Sequence, residues 1–326
     1  MMKRIFNWAC LLFVVVTVCS ANEIVAQQLP QFSQYVFNGL YINPAYAGYK
    51  GLPYIQSSYR SQWSGFPGAP KTFAFSADLS ANEGTMGFGA SILSDKLGPT
   101  STFSALLTYA YRLQVGYDSF LSLGISGGLS EYGIDGTMLN PDEYNDPDIP
   151  EGKVNTFTPN MNTGIFFHTS RFYAGLSMFN MIGKKALERE DISLAYHDFH
   201  YYFTAGTMIY ISDEVQFKPS VLIKEAKGSP TNYDINGMLL LMERLWLGAS
   251  YRSNLGNGSK YLQENLNNRN SVAAIVEIFA TNQLRIGYSY DHNVNILSNL
   301  RNNSHEISIG YYIMPKDVRV HNPRWF

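Results

Sequence analysis

The sequence is poor in cysteine, in charge and in long apolar runs, and each shortage excludes a class of protein. Only two cysteines, Cys10 and Cys19, occur among 326 residues. Both fall in a stretch that reads as a removable leader, so the processed chain has no disulfide framework and no cysteine metal site. Charged residues make up 15% of the chain; a disordered chain would carry more charge and fewer aromatics. The 24 Lys+Arg face 26 Asp+Glu, for a net charge of -2, without the basic excess of a nucleic-acid binder. A helical polytopic membrane protein needs several apolar runs of about 18 residues or more. Here there is a single apolar run, shorter than that, at the N-terminus. The abundant residues are tyrosine (23), phenylalanine (20) and glycine (27), a composition that suits an all-β protein.

Lys3 and Arg4 form a short positive region, and Ile5 to Cys19 is almost uninterruptedly apolar. A polar stretch with small residues follows, and cleavage is expected after Ala26. This is the layout of a secretory signal peptide over residues 1–26, too short and too weakly flanked for a membrane anchor. Lipoprotein processing at Cys19 is disfavoured by the bulky Val18 beside it. Loss of Lys3, Arg4 and Glu23 leaves the processed chain slightly acidic. A large exported β protein without disulfides fits a bacterial envelope.

From about residue 53 the chain alternates with a period of two, in segments of roughly ten residues. In Leu284 to Asp291 the even positions are apolar or aromatic and the odd ones small or charged; Glu306 to Ile313 repeats the period. Strands are expected near 53–63, 71–80, 84–94, 100–114, 117–133, 156–168, 171–180, 197–211, 214–226, 230–242, 244–254, 268–280, 283–292 and 303–314. Tight turns at Gly116, Thr169-Ser170, Ser212-Asp213, Glu243 and Thr281-Asn282, with a slightly longer one near Ala81 to Glu83, alternate with longer links. Those links cover 64–70, 95–99, 134–155, 181–196, 255–267 and 293–302, with a weak member at 227–229.

That asymmetry predicts a transmembrane outer-membrane β-barrel of about 14 antiparallel strands over residues 53–314, with short periplasmic turns and longer extracellular loops. Ten residues at about 3.3 Å each, tilted by about 40°, match an apolar band of about 25 Å. Tyr109, Tyr111, Tyr117, Tyr210, Tyr251 and Tyr288 would form interfacial girdles. The competing fold is a soluble barrel or sandwich with surface tyrosines. Ser308, Gly310 and Ile313 are spaced like the assembly signal of a final barrel strand, but Pro315 ends the ladder and residues 315–326 form a short periplasmic tail.

Residues 31–48, QFSQYVFNGLYINPAYAG, do not read as a strand. This stretch resembles the N-terminal signature of the PorP/SprF-like proteins of the type IX secretion and gliding machinery. Two further pieces fit that family: Trp63-Ser64-Gly65-Phe66-Pro67-Gly68-Ala69-Pro70-Lys71-Thr72 and Asp95-Lys96-Leu97-Gly98-Pro99-Thr100. The closing His305-Glu306-Ile307-Ser308 and Asn322-Pro323-Arg324-Trp325-Phe326 are similar as well. Gly39 departs from the family motif, where proline is expected.

The resemblance implies a cell outer-membrane barrel that supports secretion or surface attachment of particular cargo proteins, through adhesin-like partners bearing a C-terminal sorting domain. It also implies contact with periplasmic and peptidoglycan-linked machinery, and a setting in which gliding motility can be involved. Residues 27–52 are expected as a periplasmic or lumenal segment that plugs or braces the barrel from below. Its candidate plug or partner contacts are Asn38, Tyr41, Asn43, Pro44, Tyr46 and Gly48, with Trp63, Gly65, Gly68 and Pro70 in the first long link.

Catalytic chemistry is not visible. There is no nucleophile elbow and no phosphate-binding loop, and no enzyme activity, cofactor or metal is expected. His197 and His200 flank Asp198, but an i,i+3 pair on a strand points to opposite faces. His168, His292 and His305 are isolated. The acidic link Asn140 to Gly152 could attract calcium, although a solvated surface loop is the simpler reading. Recognition is placed in the long outward loops near 134–155, 181–196, 255–267 and 293–302. The alternatives are a transport barrel for a hydrophobic or small solute and, behind it, an outer-membrane hydrolase.

Overall fold

A computed structural model describes residues 29–139, 150–182, 199–226, 229–255, 271–294 and 303–314. The strands are β1 (Tyr54–Ser61), β2 (Lys71–Ala81), β3 (Met86–Leu97), β4 (Thr100–Gly116) and β5 (Ser119–Asp135). They continue as β6 (Lys153–Thr169), β7 (Phe172–Phe179), β8 (His200–Thr207), β9 (Ile209–Tyr210) and β10 (Val215–Ala226). The last are β11 (Thr231–Leu241), β12 (Leu245–Leu255), β13 (Ser271–Phe279), β14 (Leu284–Asn293) and β15 (Ser304–Tyr312). Neighbours pair antiparallel in chain order, and β15 returns to β1 from Tyr54↔Tyr312 to Ser61↔His305, so the sheet closes. Both β8 and β9 lie against β10. They are one barrel strand: the register on β10 runs through from Ser220↔Gly206 to Phe217↔Ile209 across Pro219, which has no N–H to donate, and the Met208 N–H continues the β7 ladder on the Arg171 carbonyl at 2.7 Å. The fifteen segments therefore make fourteen barrel strands among the described residues.

The barrel is inside-out relative to a soluble protein. Its buried wall residues include Ser58, Ser76, Ser126, Asn162, Asn236 and Ser289, whereas Leu79, Phe88, Leu107, Ile125, Leu176 and Ile309 are exposed. On β15, Ile307, Ile309 and Tyr311 face outward and Glu306 and Ser308 inward. That partition is stable where lipid surrounds the wall and polar groups fill the lumen. Closure also leaves no open sheet edge, so the wall's backbone groups satisfy one another. All six tyrosines expected in the girdles are exposed. Among the described residues no helix is long and apolar enough to cross a membrane.

The strands tilt steeply. A register row through Leu79, Phe88, Tyr109, Ile125, Thr163, Met178, Tyr201 and Glu225 begins near the short-turn end of β2 and finishes at the long-loop end of β10. Two expected boundaries need correction. The link at 95–99 is not long: β3 runs to Leu97 and β4 starts at Thr100, leaving a Gly98-Pro99 turn. Gly98 there adopts φ +55, which suits glycine. The link expected at 134–155 is shortened at both ends by β5 and β6.

Candidate functional site

The lumen holds residues 29–52, built as three short 3-10 turns, Gln34–Phe37, Gly39–Tyr41 and Pro44–Tyr46. The turns follow from local chemistry. The Asn38 side chain accepts from the Leu40 N–H and the Asn43 side chain from the Ala45 N–H, capping two turns, and Pro44 sits at the first position of the third. Gly39 lies under the Tyr46 ring, which occupies the place a Cβ would take.

At the long-loop end, the Leu29 N–H donates to Nε2 of His200, the first residue of β8, at 3.3 Å. The Glu306 carboxylate then accepts from the Ser33 and Gln34 N–H groups at 2.8 and 3.2 Å. Arg60 on β1 reaches Glu306 at 3.1 Å and Asp291 at 2.5 Å, and Ser33 Oγ donates to Asp291 at 2.8 Å. Arg252 donates to both oxygens of Asp234, at 2.9 and 3.1 Å, and to the Phe32 carbonyl at 3.2 Å; Lys224 joins Asp234 at 3.0 Å. Three cations and three anions are thus buried together, with the chain of residues 32–34 wired into them. Charges taken out of water persist only with such partners.

Lower in the lumen, ammonium groups hold the segment by its carbonyls. Lys218 Nζ donates to Val36 O and Lys50 Nζ to Phe37 O, each at 3.0 Å. Lys50 lies 3.2 Å from the centre of the Tyr54 ring. Arg285 pairs with Glu277 and donates to the Tyr312 hydroxyl. Asn236 donates to the Tyr35 hydroxyl at 2.6 Å.

Of the ten candidate residues, six meet in the lumen. Asn38 donates to Ser76 at 2.6 Å, and Asn43 donates to the Ile165 and Leu176 carbonyls at 2.9 and 3.3 Å. Tyr41 stacks on Phe32 at 5.3 Å, and Tyr46 meets Phe166 edge-on at 5.5 Å. Pro44 and Ala45 lie against Gly124, and the Gly48 N–H donates to Asp78 at 2.9 Å. The other four, Trp63, Gly65, Gly68 and Pro70, lie in the link between β1 and β2 at the long-loop end. There the Gly98 N–H donates to Gly68 O at 2.9 Å, the Gln62 N–H to Pro70 O, and the Trp63 N–H to Ser304 Oγ. The set therefore divides into a lumenal group and a rim group. The two loop pieces Trp63–Thr72 and Asp95–Thr100 touch each other, and Ser33-Gln34 of the N-terminal stretch touches Glu306 and Ser308 of the closing one.

Sequence reading missed the buried ion network. Its signal was present as single charges on the polar face of strands, at Arg60, Asp234, Arg252, Glu277, Arg285, Asp291 and Glu306, where a solvated lumen would explain them equally well. His200 points into the lumen; His197, Asp198 and residues 140–149 of the acidic link lie outside the described residues. So do the signal and the tail at 315–326. No group of three or more His, Cys, Asp or Glu side chains suited to a metal occurs among the described residues. Between the segment and the wall of β3–β6 remains a cavity of about 100 Å³, lined by Phe32, Tyr41, Ser104, Ser126, Asn160 and Asn162.

A closed fourteen-strand barrel with an apolar outside and a polar lumen defines an outer-membrane protein. Its sequence matches the family of type IX secretion system membrane proteins PorP/SprF over residues 24–311, and the chain belongs to that family. No curated protein matches it. Among solved structures it is similar to the CymD monoaromatic hydrocarbon channel, with 8% identity, a TM-score of 0.52, and coverage of 86% of this chain and 93% of that one. A Pseudomonas aeruginosa FadL homologue has 12% identity, a TM-score of 0.48, and coverage of 88% and 95%. The Acinetobacter baumannii outer membrane protein Omp33 has 8% identity, a TM-score of 0.47, and coverage of 81% and 100%. At such identities the likeness to CymD is one of fold alone.

Proposed function

We propose that this outer-membrane component of the type IX secretion system is a plugged docking receptor. It binds the C-terminal sorting domain of a secreted adhesin-like cargo at its long-loop face and periplasmic, peptidoglycan-linked machinery at its short-turn face. It has no enzymatic role. The observation that carries the reading is the filled lumen: Ala45 and Tyr49, inside it, are 0% exposed. A binding face on a rigid, closed scaffold suits recognition by loops. Long loops facing outward follow the general asymmetry of such barrels. The test is a mild-detergent pull-down of the tagged protein with mass spectrometry. Recovery of a large secreted protein ending in a sorting domain, with periplasmic components, supports the receptor; a barrel that purifies alone from cells expressing its neighbours counts against it.

The cavity of about 100 Å³ beside the segment favours a second reading, a transport barrel for a hydrophobic or small solute. That reading predicts porin-like conductance or measurable solute flux in planar bilayers. The receptor predicts neither, together with loss of a surface protein on deletion while general permeability is unchanged.

A further inference from the structure

We infer that the processed amino terminus lies at the cell-surface mouth of the barrel, and that residues 29–53 thread the lumen from outside to inside. The inference rests on the orientation used above, long loops outward, and on cleavage after Ala26.

Leu29 is fixed at the long-loop end, by its N–H on His200, the residue that opens β8 and pairs with Phe179 and Ala226 at the ends of β7 and β10. Ser33 and Gln34 are fixed next, on Glu306, one strand residue from the His305↔Ser61 pair that ends the β1–β15 ladder on that side. At the other end Lys50 lies over Tyr54, where β1 starts, and the Ile313 N–H donates to Pro53 O at 2.9 Å, beside the short-turn end of β15. The segment therefore crosses the whole wall. Three residues separate the expected cut from Leu29, inclusive, and an extended chain covers at most about 3.6 Å per residue, roughly 11 Å. The apolar band alone is about 25 Å tall. The new terminus cannot return to the short-turn side.

The same bonds span the closing seam of the barrel: Ser33 and Gln34 bridge β14 and β15, and Arg60 joins them to β1, the strand that pairs with β15.

The test uses thiol labelling in the full chain, whose processed form has no native cysteine. Leu29→Cys, Phe66→Cys in the β1–β2 link and Thr281→Cys in the β13–β14 turn are each treated with a membrane-impermeant maleimide in intact cells. Leu29→Cys and Phe66→Cys should label at least tenfold more than Thr281→Cys, which should react only after the outer membrane is opened. A peptide tag inserted between Gln28 and Leu29 should be removed by protease added to intact cells. If Phe66→Cys labels while the tag survives intact and Leu29→Cys stays unlabelled, the threading is wrong. If Thr281→Cys labels and Phe66→Cys does not, the orientation beneath the proposed function fails instead.

Discussion

The two halves of the lumenal segment are held by different physics. Residues 32–37 are held by ions: Phe32 O by Arg252, Ser33 and Gln34 by Glu306 and Asp291, Val36 O by Lys218 and Phe37 O by Lys50. Residues 38–47 are held by neutral groups and shape. Asn43 donates to two wall carbonyls, Ser177 donates to Ile42 O, and Ala45 touches Gly124 closely enough that no Cβ fits between. Charge removal should therefore break the first half, and added volume the second.

The largest effect is expected from Arg60→Leu. It leaves Glu306 with only neutral donors and Asp291 with Arg252 at 4.0 Å beside the β1–β15 seam, and breaking a buried pair from one side costs about 3–5 kcal/mol. Folded barrel, read from heat-modified mobility in detergent, should fall sharply. Normal folding would mean that the lumen around Arg60 is wet enough to make its charges cheap. Gly124→Leu comes next, because its side chain meets the Pro44–Ala45 backbone, and overpacking costs about 1–3 kcal/mol. The segment should loosen and channel-like conductance should appear. Gly152→Ala, with nothing within 4 Å of its new methyl, is the control and should leave both stability and conductance unchanged.

The same division explains what was legible in the sequence. The wall could be read because a strand between lipid and lumen alternates strictly, as in Leu284 to Asp291. Strand number followed from the turns, and the failures were local. Asp95 to Leu97 read as loop because an aspartate and a lysine adjoin Gly98-Pro99, yet Lys96 continues the ladder opposite Lys71. The break between β8 and β9 is marked across the ladder and not in its own strand, by Pro219 of β10. The lumenal segment was found as a motif, and Asn43-Pro44 announced a capped turn, but its path was invisible. Periodicity says which side of a strand faces inward and nothing about what fills the inside. The contact of Ser33 with Glu306 joins residues 273 positions apart, a separation that no local pattern encodes.

Smaller effects sharpen the contrast within the ionic half. Ser33→Ala removes one hydrogen bond to Asp291 and one from Arg60 while keeping both ion pairs of Arg60. Hydrogen bonds to charged groups are worth about 1.5–3 kcal/mol each, and because Arg60 keeps Asp291 partnered, the loss should sit at the low end of that range. Chemical denaturation of the detergent-solubilised barrel would measure it, and a loss equal to that of Arg60→Leu would show that the serine, not the arginine, organises the cluster.

Phe66→Ala at the rim should, like Gly152→Ala, leave the barrel itself unchanged. Phe66 is 52% exposed, yet its loop is fixed from several sides: the Phe66 N–H donates to Trp63 O, the Ala69 N–H to Phe66 O, and the Ser64 N–H to Asn303 O. The side chain itself supports none of these bonds. Surface substitutions away from buried features usually stay within about 0.5 kcal/mol, so folding and heat-modified mobility should match the parent chain. A large aromatic held out on a braced loop is instead the kind of anchor that dominates binding energy. Recovery of cargo in the pull-down should fall several-fold while periplasmic components are retained. Equal loss of both would mean that the substitution acts through the barrel, and unchanged recovery of both would move the cargo contact to the other long loops.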